Sequence, residues 1–150
     1  NTIMTITDNI PFVIGNILAK FRELDNPETV SRAAALALMP ELRHRIHVEG
    51  KKTDGSAIGT YSNSYLKLRQ SKYNRTSDST VIASLTRQLE NGYILKATEN
   101  GYTIGNASPY NDEKIQHLEE KYGAIWQLTE KERELTQIVA NETTLLIMNK

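Results

Sequence analysis

The sequence predicts a mixed α+β fold that forms a single domain over residues 1–150. Apolar residues recur at helical spacing near both ends of the chain, and two β-prone runs flank an Asn-Gly pair near residue 100. The resulting order of helices, loop, strands and final helix is typical of this fold class. We therefore expect a helical part at residues 1–49, an extended loop at 50–80, and a small antiparallel sheet with a C-terminal helix at 81–150.

Two helices are predicted in the first third of the chain. Residues 8–25 begin with a helix cap and a proline, continue with an apolar stripe, and end before Pro27, whose predecessor avoids the helical region. A second, Ala-rich helix follows through residues 30–46. Pro40 removes one of its backbone hydrogen bonds and is expected to kink or split it. Gly50 is the expected stop signal.

Residues 50–80 are rich in Gly, Ser, Thr, Asn, Tyr and Lys, and carry no sustained apolar period apart from a short helix expected at residues 64–70. The stretch is too long for an ordinary connection, so we expect it to be functional or disordered in the isolated subunit. Its tyrosines favour a surface that becomes buried against a partner. Deletion of residues 51–75 is expected to leave the core folded.

The clearest local signal lies in the second half of the chain. Residues 93–98 and 102–105 are β-prone, and the Glu-Asn-Gly between them predicts an antiparallel hairpin near residues 93–105. Before the hairpin we expect a short strand or a helical turn at residues 80–85, and a short helix at residues 85–91.

The remaining elements are predicted from helix start and stop signals. A helix over residues 111–122 ends at Gly123, and a short strand is expected at residues 124–128. Thr129 and Glu132 then form a capping box, in which each side chain accepts the backbone N–H of the other residue. An apolar stripe at helical spacing continues this C-terminal helix.

Charge is unevenly distributed along the chain, although 18 Lys and Arg balance 18 Asp and Glu. Residues 43–75 hold eight cations and two anions, a net +6, whereas residues 1–42 carry −2 and residues 76–150 carry −4. The basic middle has three interpretations: contact with nucleic acid, a joint between its basic loop and an acidic surface of the next copy, or a solvated loop without a partner. The candidate residues for a protein interface or a DNA-facing loop are Lys51, Lys52, Tyr61, Tyr65, Lys67, Arg69, Lys72, Tyr73 and Arg75.

No arrangement of residues predicts catalysis. Cys is absent, which excludes disulfides, thiol catalysis and Cys-ligated metals. His44 and His47 could begin a metal site, but no third ligand stands at a recognised spacing, so we expect solvent-facing histidines. No nucleophile, base and orienting group combine. We therefore predict no enzymatic activity, no cofactor and no metal site. A divergent hydrolase that depends on His44 or His117 is the remaining alternative.

A membrane partner is not expected, because no apolar run approaches the roughly 18 residues that span a bilayer.

Two motifs in the middle of the chain resemble those of a known family. Asp54-Gly55, followed by Tyr61 and a basic, tyrosine-bearing stretch, is similar to a DG…W/Y loop. Residues 84–91, SLTRQLEN, are similar to an L-x-T/D-T-G-x-L-x-x-S turn, with Arg87 where the family usually has Gly.

Three later motifs continue the resemblance. The hairpin at residues 93–105 precedes residues 108–110, SPY, at the point where the family ends its strand pair with a G…YA pattern. Residues 117–123, HLEEKYG, are similar to an H-x-x-G motif, and residues 128–132 open a C-terminal helix. In this order, over residues 40–148, the motifs resemble the head–tail joining proteins of tailed bacteriophages, also called tail-completion or virion-morphogenesis proteins.

The resemblance implies a structural subunit of the virion, assembled in the host cytoplasm and without an active site. Such proteins form homo-oligomeric rings in the phage neck, between the portal connector of the head and the tail proteins. Basic residues of the loop would then face the lumen and make weak contact with packaged DNA: Lys51, Lys52, Lys67, Arg69 and Lys72. The alternative is a sequence-independent nucleic-acid-binding module that uses residues 43–75, with Tyr61, Tyr65 and Tyr73 as stacking platforms.

Overall fold

The computed structural model describes residues 27–75, 78–99 and 101–149, so the helix predicted at residues 8–25 lies outside the described residues. The described chain is mixed α+β, with a two-stranded antiparallel sheet and a C-terminal helix, which confirms the predicted fold class. None of its described helices is both long and apolar enough to cross a membrane. The elements are α1 (Pro27–Arg43), a π-helical turn (His44–Val48), α2 (Asn63–Tyr73), β1 (Tyr93–Thr98), β2 (Gly101–Asn106), α3 (Pro109–Tyr122) and α4 (Glu130–Met148).

Helix α1 lies at the centre of the fold, with contacts to α4 and to both strands. The buried residues of α4 include Thr136, Ala140 and Thr144, which recur every four residues and form a narrow stripe of small side chains. Ala34 and Ala35 of α1 are also fully buried. Small side chains allow two helix backbones to approach closely, so the Ala-rich composition of α1 fits its place against α4.

The hydrophobic core extends from α1 to α3. Trp126, fully buried, is its largest side chain, and it lies in one cluster with Leu38 and Leu42 of α1, Ile104 of β2 and Ile115 of α3. Full burial of an aliphatic side chain stabilises a fold by about 1.5–3 kcal/mol. The core is therefore built from residues that are distant in sequence. These residues pack around the C-terminal half of α1.

Helix α1 runs unbroken through Pro40, so of the kink or split expected at this residue, the split is wrong. Its hydrogen-bonding pattern changes only after Arg43, where the π-helical turn begins. Gly50 follows this turn with φ +65°, and a Cβ atom at that position would collide with the Val81 carbonyl. Glycine is therefore required at the predicted stop, both by the left-handed backbone and by the close approach of a second segment.

The hairpin forms as predicted. Its register runs from Tyr93 opposite Asn106 to Thr98 opposite Gly101. Gly101 has φ +133°, a conformation that residues with a Cβ atom rarely adopt. Gly101 therefore allows β2 to begin directly opposite the end of β1, at Thr98.

The strand predicted at residues 124–128 is wrong, because side chains, and not a neighbouring strand, bond to its backbone groups. One oxygen of the Glu119 carboxylate accepts the N–H groups of both Ile125 and Trp126, each at 2.9 Å. The Ile125 carbonyl accepts a hydrogen bond from Arg45 at 2.9 Å. The segment therefore stays irregular while its apolar side chains enter the core.

The short helix predicted at residues 85–91 is also wrong, since this segment forms turns. Arg87 adopts the left-handed conformation, with φ +63°, and Ala83 just before the segment does so as well, with φ +49°. Such residues interrupt a right-handed helix. The strand expected at residues 80–85 is reduced to one isolated bridge, between Thr80 and Thr60.

Residues 50–80 contain α2, which confirms and extends the predicted short helix. The expectation that this stretch stays apart from the core is wrong. Ile58 is 3% exposed and belongs to the core cluster, and Arg69 is 1% exposed. Tyr61 packs against the same cluster. These three residues form no apolar period, which is why the sequence pattern did not reveal their burial.

Candidate functional site

A groove of about 760 Å³ lies between α2, the turns of residues 80–89 and the second half of α3. Apolar side chains such as Val81, Leu85 and Leu118 form part of its lining. Among the described residues that line it, four carry positive charge and none is Asp or Glu. We call this feature the basic groove, and its charged and aromatic residues are Tyr61, Tyr65, Arg69, Arg87, Lys114, Lys121 and Tyr122.

Arg69 is the buried cation of the basic groove. Its Nη1 donates a hydrogen bond to the Ser84 carbonyl at 2.7 Å, and its guanidinium carbon lies 4.5 Å from the ring centre of Tyr61 and 5.9 Å from that of Tyr65. Its Nε has no hydrogen-bond partner. No carboxylate of the described residues forms an ion pair with it. A buried charge without a counter-charge is costly, so the groove is electrostatically prepared for an anionic group.

Helix α2 holds Arg69 in place through a cap and two aromatic rings. Ser62 caps the helix by accepting the Tyr65 N–H at 3.3 Å. Tyr61 lies just before α2 and Tyr65 lies in its first turn, with ring centres 5.1 Å apart, and Arg69 follows Tyr65 one turn later. The Tyr61 hydroxyl accepts the Ile82 N–H at 3.2 Å. Burial raises the pKa of this phenol, so it remains protonated and uncharged at neutral pH.

The other cations lie at the rim of the basic groove. Lys114 and Lys121 are seven residues apart on α3, two helical turns, and therefore share one face. Lys114 donates a hydrogen bond to the side chain of Gln88, on the facing turns. Arg87 lies on the same turns and is exposed, like both lysines. Three exposed cations thus line the same groove as one that is buried.

Three of the nine predicted interaction residues come together in the basic groove: Tyr61, Tyr65 and Arg69. Arg75 does not line it, but donates a hydrogen bond to the Ser84 hydroxyl at 2.6 Å beside it. Lys52 does not line it either, and its ammonium donates to the carbonyl of the lining residue Tyr122 at 3.2 Å.

The other four predicted residues lie away from the basic groove. The ammonium of Lys51 is 3.6 Å from a carboxylate oxygen of Glu49, on the surface. Lys67 and Lys72 are exposed on α2, and the Lys72 ammonium lies 5.5 Å from the ring centre of Tyr73. These residues therefore form no common site with Arg69.

Sequence reasoning missed the half of the basic groove that comes from Arg87 and α3. Both parts belong to residues 76–150, whose net charge of −4 concealed them. The signal that could have found the α3 residues is the seven-residue spacing of Lys114 and Lys121, with His117 between them. A count of charge along the chain cannot detect cations that only folding brings together.

A second surface is the outward face of α4, defined here by Glu134, Ile138, Glu142 and Leu145. These residues recur at spacings of four, four and three, which places them along one line of the helix. Ile138 is 53% exposed and Leu145 is 58% exposed. Among the described helices and strands, α4 packs only against α1, and it has no contact with α2 or α3. The outward face of α4 and the basic groove are therefore separate surfaces of different character.

The two histidines of the predicted pair have different environments. His44 is exposed as expected, but the expectation that His47 faces solvent is wrong, since His47 is 3% exposed. Its Nδ1 lies 3.2 Å from the Ile82 carbonyl and its Nε2 lies 2.7 Å from the Tyr93 hydroxyl, which also accepts the Trp126 Nε1–H at 2.8 Å. Burial lowers the pKa of His47 and raises that of Tyr93, so both groups are neutral and serve as a buried structural network.

Metal binding has no support from the described part of the chain, which contains no group of three or more His, Asp or Glu placed to hold a metal ion. The features that distinguish this molecule are instead its two unlike surfaces, the basic groove and the outward face of α4. A comparison of the chain with protein-family models, curated proteins and solved structures finds no match.

Proposed function

We propose that the chain is a structural subunit of the neck of a tailed bacteriophage, where copies of it form a ring that joins the portal connector of the head to the tail. The observation that carries this proposal is the presence of two unlike surfaces on separate parts of one subunit. A closed ring of identical subunits needs head-to-tail contacts, and each of these joins two different patches. The role is one of assembly in the virion, which forms in the host cytoplasm, and involves no catalysis.

The backbone supports the resemblance to head–tail joining proteins at the positions of its glycines. Gly55 and Gly123, which stand in two of the motifs, have φ +86° and +96°. Arg87 occupies the position where the family usually has Gly, and it too is left-handed, with φ +63°. The turn therefore keeps the backbone that a glycine would favour, although the side chain differs.

The mass of the purified chain tests this proposal when it is measured over a range of protein concentrations, alone and with portal-connector and tail proteins of the same phage. We expect a rotationally symmetric oligomer, visible as a ring by electron microscopy, that binds both the head and the tail. A chain that stays monomeric at every concentration and joins neither structure would contradict the proposal.

A second candidate function is sequence-independent binding of nucleic acid. The observation that favours it is the combination of four cations, three tyrosines and no carboxylate among the described lining residues of the basic groove. Cations neutralise phosphates, and aromatic rings stack on bases. A salt titration with single-stranded and duplex DNA separates the candidates. Micromolar or tighter binding at physiological salt, with a steep loss as salt rises, would favour this function over the ring.

A further inference from the structure

The basic groove lacks an anionic partner. Arg69 is buried, its Nε is unpartnered, and no described carboxylate forms an ion pair with it. The exposed rim adds Arg87, Lys114 and Lys121, while apolar side chains line the space between. An occupant that fits this surface has to supply carboxylate or phosphate groups together with an apolar face.

The outward face of α4 has the complementary composition. Its two carboxylates, Glu134 and Glu142, are exposed, and the apolar side chains Ile138 and Leu145 stand next to them along the helix. A helix presenting apolar residues at these spacings is the form in which proteins dock a helix into a groove. Nothing among the described elements of the same chain covers this face, since α4 packs only on α1.

We propose that the basic groove of one copy receives the outward face of α4 from a second copy. The apolar residues Ile138 and Leu145 enter the groove, and the carboxylates of Glu134 and Glu142 face its cations. This inference rests on the proposed ring function and specifies the contact between neighbouring subunits, which we call the joint. Because groove and helix are separate surfaces, each subunit gives one helix and receives another, which is the head-to-tail arrangement that closes into a ring.

Charge reversal in two complementary variants tests this joint. The groove variant carries Lys114→Glu and Lys121→Glu, and the helix variant carries Glu134→Lys and Glu142→Lys; all four positions are exposed on helices. Each variant alone places like charges opposite each other at every joint, which is strongly unfavourable. We expect the protein concentration needed for half assembly to rise at least about tenfold for each variant.

An equimolar mixture of the two variants gives the sharper result. In an alternating assembly, the reversed groove meets the reversed helix, and the unchanged groove of the helix variant meets the unchanged helix of the groove variant. Every joint is then complementary, so mixing is expected to restore association of the copies, measured as the mass of the assembly and not as closure of the ring, since an alternating ring closes only with an even number of subunits. A matched control, Lys67→Glu with Lys72→Glu, makes the same charge change on α2 outside the basic groove and is expected to assemble normally. Circular dichroism checks that each variant is folded.

The outcomes separate this inference from the proposed function. Normal assembly of both variants, or two defective variants that fail to assemble when mixed, would overturn the joint while the ring itself stands. A wild-type chain that never self-associates would overturn both. If the groove variant loses binding to single-stranded DNA but assembles normally, the groove takes nucleic acid instead, and the inference is again overturned.

Discussion

Arg45 and Glu132 form the main buried ion pair of the described chain, between the π-helical turn and the start of α4. The Nε of Arg45 donates to a carboxylate oxygen of Glu132 at 2.6 Å, and both side chains are less than 10% exposed. The Nη1 of Arg45 donates to the carbonyls of Lys51 and Ile125, and its Nη2 donates to the Gln127 carbonyl and to the other carboxylate oxygen of Glu132. This one guanidinium therefore joins two stretches of chain that are distant in sequence, residues 45–51 and 125–132.

Glu132→Gln is expected to destabilise the protein strongly. The substitution keeps the size of the side chain but removes the counter-charge of the buried guanidinium, a loss that costs about 3–5 kcal/mol. Urea denaturation measures the change in the free energy of unfolding. The control, Glu130→Gln, alters an exposed residue of the same helical turn and should change stability by less than about 0.5 kcal/mol. Equal stability of the two variants would show that the ion pair does not hold α4.

The buried imidazole of His47 predicts a loss of stability in mild acid. Burial lowers its pKa below the ordinary value of 6.5, although the carboxylate of Glu90 partly opposes this effect. As the pH falls through 6.5, the unfolded chain binds a proton that the folded chain does not bind. The free energy of unfolding therefore decreases, by at most about 1.4 kcal/mol per pH unit, until the pH reaches the pKa of the folded state.

His47→Gln should remove this dependence, which urea denaturation at a series of pH values between neutral and mildly acidic would detect. The matched control is His44→Gln at the exposed histidine one turn earlier, which should keep the wild-type slope. An unchanged slope in the His47 variant would assign the pH dependence to another group. Asp54 and Asp78 do not interfere, because hydrogen bonds from Ser56 and Thr80 lower their pKa values below the range tested.

For the helices and strands, the sequence predicts the structure wherever local hydrogen bonds and turns determine it. The hairpin at β1 and β2 depends on its own turn, and the capping box of Thr129 and Glu132 is present in the structure as predicted. Prediction fails where side chains take the place of a neighbouring strand, as at residues 124–128, whose backbone is bonded to Glu119 nearby in sequence and to the distant Arg45. Prediction of the basic groove from the sequence also fails in part, because three segments that are distant in sequence supply its cations.

The segment between residues 50 and 80 gives a test of order in the single subunit. The structure reverses the expectation that this segment is dispensable for the core, because Ile58 is buried in the core cluster. Ile58→Ala should therefore lower the free energy of unfolding by about 2–5 kcal/mol under conditions where the chain is monomeric. Leu68→Ala, at a residue of α2 that is 42% exposed, serves as the control and should have a much smaller effect. If both variants match the wild type, the segment orders only upon assembly.

At the scale of the whole molecule, the zero net charge conceals surfaces of opposite sign that the proposed joint brings together. The proposed assembly should then weaken as salt rises, because the Debye length shortens from about 30 Å at 0.01 M to about 8 Å at 0.15 M. Sedimentation or mass measurement at several salt concentrations would show the half-assembly concentration increasing over this range. Assembly that strengthens with salt would indicate a purely apolar joint in which the rim cations have no part.

The apolar half of the joint is tested by Ile138→Ser combined with Leu145→Ser. Both side chains are more than half exposed in the single subunit, so the stability of the monomer should change by no more than about 0.5 kcal/mol per site. Assembly should nevertheless be lost, because a helix without these two apolar side chains would no longer exclude water from the basic groove. The control, Leu36→Ser, changes an apolar residue of α1 that is 44% exposed but lies outside the outward face of α4. A loss of assembly as large in this control would mean that general surface hydrophobicity, and not the face of α4, holds the copies together.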